Sequence, residues 1–221
     1  MTAPTSSPDP GAAAPRRGGR PTAEQAAQLD LDIREAALRL FLEHGFDGTS
    51  MDAIAGAAGT TRVSLYARFP DKGAVFRSVL AWAIQRTDWP SPEPPAPDFD
   101  DLEAALTAIA DAALRRALDP SVVKLGQIAI AQASRFPELA QRAYAAVYWP
   151  RRELLVELLN RHAATGAIVA PDPEILAEHF LGLVSGMPAR LASFGVVRDP
   201  ADQERRTRAA VQLFLRGLRP D

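Results

Sequence analysis

Residues 49–76 read TSMDAIAGAAGTTRVSLYARFPDKGAVF, and this stretch holds the signals of two short helices with a tight turn between them. Thr49 or Ser50 is suited to cap a first helix over residues 51–58, because a hydroxyl at this position accepts a hydrogen bond from a free backbone N–H. Gly59 is suited to end this helix, since the residue after a helix often takes the left-handed conformation that glycine adopts without strain.

A second short helix follows near residues 62–68, with Thr61 as its cap. Two short helices joined by a glycine-containing turn form a helix-turn-helix, a motif whose second helix can enter the major groove of DNA. Four apolar residues are spaced to face inward and to hold the helices together, namely Ile54, Ala58, Leu65 and Phe69.

The outer side of the second helix forms a locally basic surface. It carries Arg62, Val63, Ser64, Tyr66 and Ala67, with Arg68 and Lys72 at its end. Residues 58–77 contain four cations and one anion, a local balance of +3, although the whole chain has a formal net charge of −2. The overall charge excludes a basic nucleic-acid coat, but the local charge indicates a DNA-reading face.

Prolines divide the rest of the chain, since ten of its 19 prolines lie within residues 1–21 and 90–97. Residues 1–21 have almost no large apolar side chain, which predicts a disordered arm. Residues 89–98 are predicted to be a stiff, extended connector. The connector separates a DNA-binding unit over 22–88 from a larger unit over 99–221.

The remaining signals predict an all-α fold with about nine helices. Thr22 to Gln25 has the spacing of a capping box, and apolar residues recur at helical intervals without convincing strand alternation. Most other prolines are placed where helices begin, as in Asp119-Pro120, Asp172-Pro173 and Asp199-Pro200, and also Pro137 and Pro150.

The sequence predicts no catalytic site, no metal site and no cofactor, so we do not expect an enzyme. There are no cysteines, which excludes disulfides and thiolate chemistry, and the three histidines have no metal-ligand spacing. Phosphate-binding loops and nucleophile elbows are absent, and no apolar run is long enough for a transmembrane helix.

Residues 28–80 resemble the DNA-binding domain of the TetR family of bacterial repressors. The resemblance rests on Thr49, Ile54-Ala55, Ala58-Gly59 and the block LYARFPDK over 65–72. Three positions depart from the family pattern: Thr60 replaces the usual valine, Val63 a small residue, and Gly73 a frequent glutamate.

The resemblance implies roles for individual side chains. Phosphates would be bound by Thr49, Tyr66 and Lys72, and base edges would be reached by Thr61, Arg62 and Ser64. Arg62 is suited to a bidentate contact with guanine, although contact with phosphate alone is the alternative. Packing remains open for Tyr66, and Arg68, at the end of this surface, is either a DNA contact or an ordinary solvated charge.

The arm carries three arginines just before the first helix, at Arg16, Arg17 and Arg20. A flexible basic arm beside a helix-turn-helix can follow phosphates or enter the minor groove. The alternative is a solubilising tail.

The C-terminal unit contains amides and aromatic residues that could line a ligand pocket. These are Gln127, Gln132, Phe136, Tyr144, Tyr148 and Trp149, together with His179 and Met187. The alternative is core aromatics with exposed amides. Helices over 173–193 and 200–218 are apolar and rich in small residues, which indicates a two-fold, four-helix interface between two copies of the chain.

The C-terminal unit is similar to that of AefR-like repressors within the TetR family. The similarity rests on RFPELA over 135–140 with Tyr144, GAI over 166–168 before Asp172-Pro173, and FLGL over 180–183. In such proteins the last two helices form the dimer interface, and the middle helices surround an effector pocket.

The resemblance implies a homodimeric, sequence-specific regulator, most simply a repressor that a small-molecule effector releases from a palindromic operator of double-stranded DNA. It would act in the bacterial cytoplasm, at the nucleoid when bound to DNA, and not at a membrane. Two alternatives remain open at this point: a helical small-molecule-binding protein, and a constitutive DNA-binding regulator without an effector.

Overall fold

A computed structural model describes residues 22–85 and 97–220, except for the side chains of residues 139–150. The helices are α1 (Ala23–Gly48), α2 (Met51–Ala57), α3 (Arg62–Tyr66), α4 (Lys72–Gln85), α5 (Leu102–Leu118), α6 (Pro120–Ala131), α7 (Pro137–Ala164), α8 (Pro173–Leu181), α9 (Met187–Ser193) and α10 (Pro200–Gly217). A π-helical turn over Gly182–Gly186 joins α8 to α9 without a break, so the described residues form nine continuous helical segments. No strand occurs among them, which confirms the all-α prediction. The predicted arm and almost all of the predicted connector lie outside the described residues.

Side-chain caps determine where most of the helices begin. Thr22 and Gln25 form the predicted capping box at the start of α1. The predicted aspartate caps are confirmed for α6, α8 and α10, and each is followed by a proline in the first turn. Pro137 begins α7 as predicted, but Pro150 lies inside this 28-residue helix instead of starting a new one. A proline inside a helix removes one backbone hydrogen bond, so the pattern alone favoured a new helix at this position.

The first hydrophobic core joins α1, α2, α3 and α4. Phe41, Phe46 and Phe76 form an aromatic cluster at its centre, with ring centroids 5.2–5.9 Å apart. Phe46 reaches this cluster because the chain turns at Gly45, whose φ of 73° lies in the left-handed region. The regular part of α1 therefore ends before Phe46.

Helix α6 also contributes to the first core, through Leu125, Ile128 and Ala129. The second core is formed mainly by α5, α7, α8 and α10. Since α6 is connected directly to α5 and α7, it links the core of the C-terminal unit to the helices that carry the helix-turn-helix.

Candidate DNA-binding surface

The turn between α2 and α3 has the geometry that the sequence predicted. Ala58 ends α2, and Gly59 follows with a φ of 63°. The Thr61 hydroxyl accepts a hydrogen bond from the Ser64 N–H at 3.1 Å and so caps α3. Leu65 is fully buried against the first core. The short helix α3 is thus held by its cap on one side and by an apolar side chain on the other.

The opposite side of α3 faces solvent. Val63 is 81% exposed and Tyr66 is 44% exposed, and Arg62 is also exposed. An exposed valine at such a position has no packing role, so its surface is free to contact a partner. The inward side is confirmed at Leu65 and the outward side at Arg62, Val63 and Tyr66, whereas Ser64, predicted to face outward, is half-buried.

A shallow groove of about 420 Å³ runs between the beginning of α2, the outer side of α3 and the beginning of α4. Its lining residues are Asp47, Thr49, Ser50, Met51, Asp52, Arg62, Tyr66 and Lys72. Arg62, Tyr66 and Lys72, which sequence reasoning selected separately, thus lie along one groove.

Arg62 is held at the side of this groove by two neighbours. Its Nε lies 2.7 Å from Oδ1 of Asp52 in the first turn of α2. Its guanidinium carbon lies 6.0 Å from the centroid of the Tyr66 ring. Sequence reasoning missed Asp52, although an acid on α2 beside a basic α3 was a visible signal.

Lys72 lies at the beginning of α4 with its ammonium group against Phe46. Its Nζ donates hydrogen bonds to the carbonyl oxygens of Thr49 at 2.8 Å and Asp47 at 3.4 Å, and lies 4.5 Å from the Phe46 ring centroid. Partial burial lowers the pKa of Lys72 below its usual value; the Asp47 carboxylate opposes this shift and the Arg135 guanidinium adds to it. A phosphate bound here would favour the charged form of Lys72.

Family models match both parts of the chain. Residues 104–218, more than half of the chain, match the model described as the AefR-like transcriptional repressor, C-terminal domain. The chain belongs to the TetR family. Residues 33–79 match the model of the bacterial regulatory proteins of the tetR family, and this range contains the helix-turn-helix.

Named relatives of this TetR-family regulator include both sequences and solved structures. The HTH-type transcriptional regulator AcrR of Shigella flexneri is 36% identical over 69 residues, 31% of either chain. The HTH-type transcriptional repressor ComR of Escherichia coli K12 is 38% identical over 69 residues, 31% of this chain and 30% of ComR. The matched part spans only about a third of the length of these two curated relatives.

Solved structures extend the similarity to both domains. The flavonoid-responsive regulator FrrA is 31% identical, with a TM-score of 0.72 over 88% of this chain and 98% of FrrA. A TetR-family regulator from Mesorhizobium loti is 28% identical, with a TM-score of 0.71 over 89% of this chain and 99% of its own.

Thr49 does not fit the predicted role of a phosphate ligand in this TetR-family chain. Its side chain is 2% exposed, and its hydroxyl donates to the carbonyl oxygens of Gly45 at 2.8 Å and Leu40 at 3.1 Å. The non-helical backbone at Gly45 brings Thr49 back against α1, so that its hydroxyl lies inside the protein next to these two carbonyls. Ser50 is exposed and caps α2 instead.

Ser64 and Arg68 face α1 more than the groove. Arg68 Nε lies 2.8 Å from Asp30 Oδ1, and its Nη1 donates to the Ser64 hydroxyl at 3.2 Å. Arg68 therefore ties α3 to α1. Direct contacts of Thr61, Ser64 and Arg68 with DNA remain predictions, as do those of Arg16, Arg17 and Arg20, which lie outside the described residues.

The described ligand-binding candidates lie on α6, α8 and α9, and their role in binding an effector stays a prediction. The Gln127 amide donates to the Ser193 carbonyl at 2.6 Å and joins α6 to α9. His179 is exposed on α8, and Met187 is 53% exposed beside an open groove between α9 and α10. Gln132 is half-buried at the end of α6. Tyr144, Tyr148 and Trp149 are among the residues whose side chains the structure does not describe.

None of the described helices is long and apolar enough to cross a membrane. Over the same residues, acidic and histidine side chains form no cluster of three that could hold a metal ion.

Proposed function

We propose that this TetR-family protein is a homodimeric repressor that binds a palindromic operator through α3 and is released from it by a small-molecule effector. The observation that carries the proposal is the groove beside α3, where Arg62, Tyr66 and Lys72 lie along one surface. The buried side of α3 holds this helix in place, so Arg62 and Tyr66 remain exposed to DNA, while Lys72 is held at the start of α4 by its contacts with Phe46 and Thr49.

Within this proposal, Lys72 and Arg62 have different tasks. Lys72 binds a phosphate at the start of α4, where Asp71 already accepts a hydrogen bond from the Ala74 N–H and the Lys72 ammonium supplies the positive charge. Arg62 exchanges its ion pair with Asp52 for a base edge in the major groove. Phosphate contacts determine the register of the protein on DNA, and base contacts determine the sequence it prefers.

The face formed by α8, α9 and α10 supports the homodimer. Leu183, Met187 and Leu213 are large apolar residues with roughly half or more of their surface exposed. They line an open groove between α9 and α10. A second copy of the same face would cover these side chains and place the two α3 helices in successive major grooves, about 34–36 Å apart.

The effector is proposed from the C-terminal domain and its relatives. FrrA is described as flavonoid-responsive, which makes flavonoids the first compounds to test on this chain. An effector releases DNA only if it binds more tightly to a conformer that fits the operator poorly. Helix α6 is suited to transmit this difference because its apolar side chains belong to the core of the DNA-binding helices.

The proposal is tested by selecting bound duplexes from a random pool with the full-length protein. We expect enrichment of an inverted repeat whose half-sites are about one helical turn apart. Val63→Glu places a carboxylate at the most exposed position of α3 and should abolish enrichment without unfolding the protein. Val169→Glu makes the same change at another exposed valine, away from α3, and should behave like the wild type.

Each part of the proposed function can be contradicted by a specific result of this experiment. Absence of any enriched sequence would contradict specific DNA binding, and enrichment without an inverted repeat would contradict a symmetric dimer. The enriched duplex is then titrated with flavonoids and other small aromatic compounds. Compounds that raise the melting temperature of the protein but never release DNA would contradict the proposed effector response.

A further inference from the structure

Arg135 belongs to the turn between α6 and α7 but lies against the DNA-binding helices. Its guanidinium carbon is 5.7 Å from the centroid of the Phe46 ring and 5.3 Å from that of the adjacent Phe136. Phe46 and Phe136 are themselves in edge-to-face contact at 5.9 Å. The turn is thus attached to the first core through aromatic contacts.

Arg135 and Lys72 share the Phe46 ring. The Lys72 ammonium is 4.5 Å from this ring centroid, so the two cationic groups lie within roughly 10 Å of each other. The lowering of the Lys72 pKa by Arg135 agrees with this proximity. Arg77 adds a third cation, 5.4 Å from the Phe136 ring. Three cations thus continue from the beginning of α4 onto the C-terminal domain, with the Asp47 carboxylate beside Lys72 and the Asp71 carboxylate beside Gly73.

The hydrogen-bonding capacity of Arg135 is not used inside the described part of the protein. The residue is exposed, and among the described residues its guanidinium has neither a carboxylate partner nor a hydrogen bond. A cation–π contact occupies none of the five N–H donors of a guanidinium, so these donors stay available to a partner outside the protein. Such an arrangement presents a fork of donors that matches the oxygens of a phosphate.

We propose that Arg135 binds a phosphate of the operator backbone next to the one bound by Lys72, so that the effector-binding domain itself contacts DNA. This inference rests on the proposed function, because it requires α3 to enter the major groove. It adds a direct effect of the effector on affinity: a movement of the α6–α7 turn removes one phosphate contact from each protomer.

The experiment measures the affinity of the full-length protein for its selected duplex between 50 and 200 mM salt. Each phosphate contact contributes about 0.9 to the slope of log affinity against log salt, so Arg135→Gln should flatten the slope by about 1.8 for a dimer. Between 50 and 200 mM salt, the ratio of the DNA affinity of the wild type to that of the variant should fall about twelvefold. Arg135→Lys keeps the charge and should keep the wild-type slope.

Arg161→Gln is the matched control, because it removes the same charge from the other end of α7, far from Arg135. Arg161 pairs with Asp100 and lies 25 residues further along than Phe136, about 38 Å away at 1.5 Å per residue. Its slope should equal that of the wild type. Lys72→Gln should flatten the slope as Arg135→Gln does.

The outcomes separate this inference from the proposed function. A wild-type protein that selects no duplex overturns both. If the wild type binds its duplex and Lys72→Gln flattens the slope, an unchanged slope for Arg135→Gln overturns only the role of Arg135. A loss of affinity by the same factor at every salt concentration would assign Arg135 a purely structural role and would also overturn the inference.

Discussion

The contact between Phe136 and Gly73 offers a quantitative test of how the two domains are joined. A Cβ atom added at Gly73 would lie 2.6 Å from Cζ of Phe136 and 3.0 Å from Oδ1 of Asp71. Favourable separations between carbon atoms are about 3.5–4.0 Å, so the ring would have to move. This explains the glycine at a position where the family often has glutamate: the space for a side chain is taken by Phe136.

The magnitude follows from two opposing terms. Overpacking costs about 1–3 kcal/mol, whereas replacing a helical glycine by alanine gains roughly 0.5–1 kcal/mol. Gly73→Ala should therefore lower the free energy of unfolding by about 0.5–2 kcal/mol. With Phe136→Ala already present, the clash with the ring is gone and only the 3.0 Å approach to Asp71 Oδ1 remains, so Gly73→Ala should range from neutral to a gain of about 1 kcal/mol in the free energy of unfolding.

Denaturant unfolding of the wild type, both single variants and the double variant gives the coupling energy between the two sites. Gly126→Ala is the control, since a Cβ at this position in α6 meets nothing within 4 Å and should be mildly stabilising in either background. The reasoning is refuted if Gly73→Ala changes stability equally, within about 0.5 kcal/mol, with and without Phe136.

Three further predictions concern the DNA-binding surface and the dimer. Arg62→Ala should relax sequence preference at one base position of each half-site, at a cost of roughly 1–3 kcal/mol for the preferred sequence; an unaltered preference in the duplex selection would contradict its base contact. Thr49→Val keeps the shape of the side chain but removes its buried hydrogen bonds. It should lower the free energy of unfolding by about 1–3 kcal/mol in a denaturant titration. An unchanged free energy of unfolding would contradict the structural role of the hydroxyl. Leu213 is 61% exposed on the proposed dimer face, so Leu213→Glu should produce monomers in light scattering. Ile130→Glu changes an exposed isoleucine of α6 and should leave the oligomeric state unchanged. A dimeric Leu213→Glu protein would contradict the proposed interface.

Much of the helix-turn-helix could be predicted because its determinants are local. The caps Thr22 and Thr61 act within three residues of themselves, and Gly59 acts through its own φ. The burial of Leu65 beside the exposure of Val63 follows from helical periodicity. The sequence alone was therefore sufficient to place α3 and to say which of its sides faces outward.

Other assignments depended on how distant segments meet. Thr49 has the sequence context of an exposed N-cap, but the turn at Gly45 brings its hydroxyl to the carbonyl oxygens of Leu40 and Gly45, so the side chain lies inside. Arg68 has the context of a DNA contact, but it meets Asp30, 38 residues earlier in the chain.

The junction between the domains shows the same division. The sequence by itself determined the helices, their caps and the basic outer side of α3, because these depend on residues within about four positions of each other. The tertiary structure decided that Phe136 fills the space above Gly73 and that Arg135 shares the Phe46 ring with Lys72. These contacts depend on the path of α5 and α6 between the two segments, which no local pattern of residues encodes.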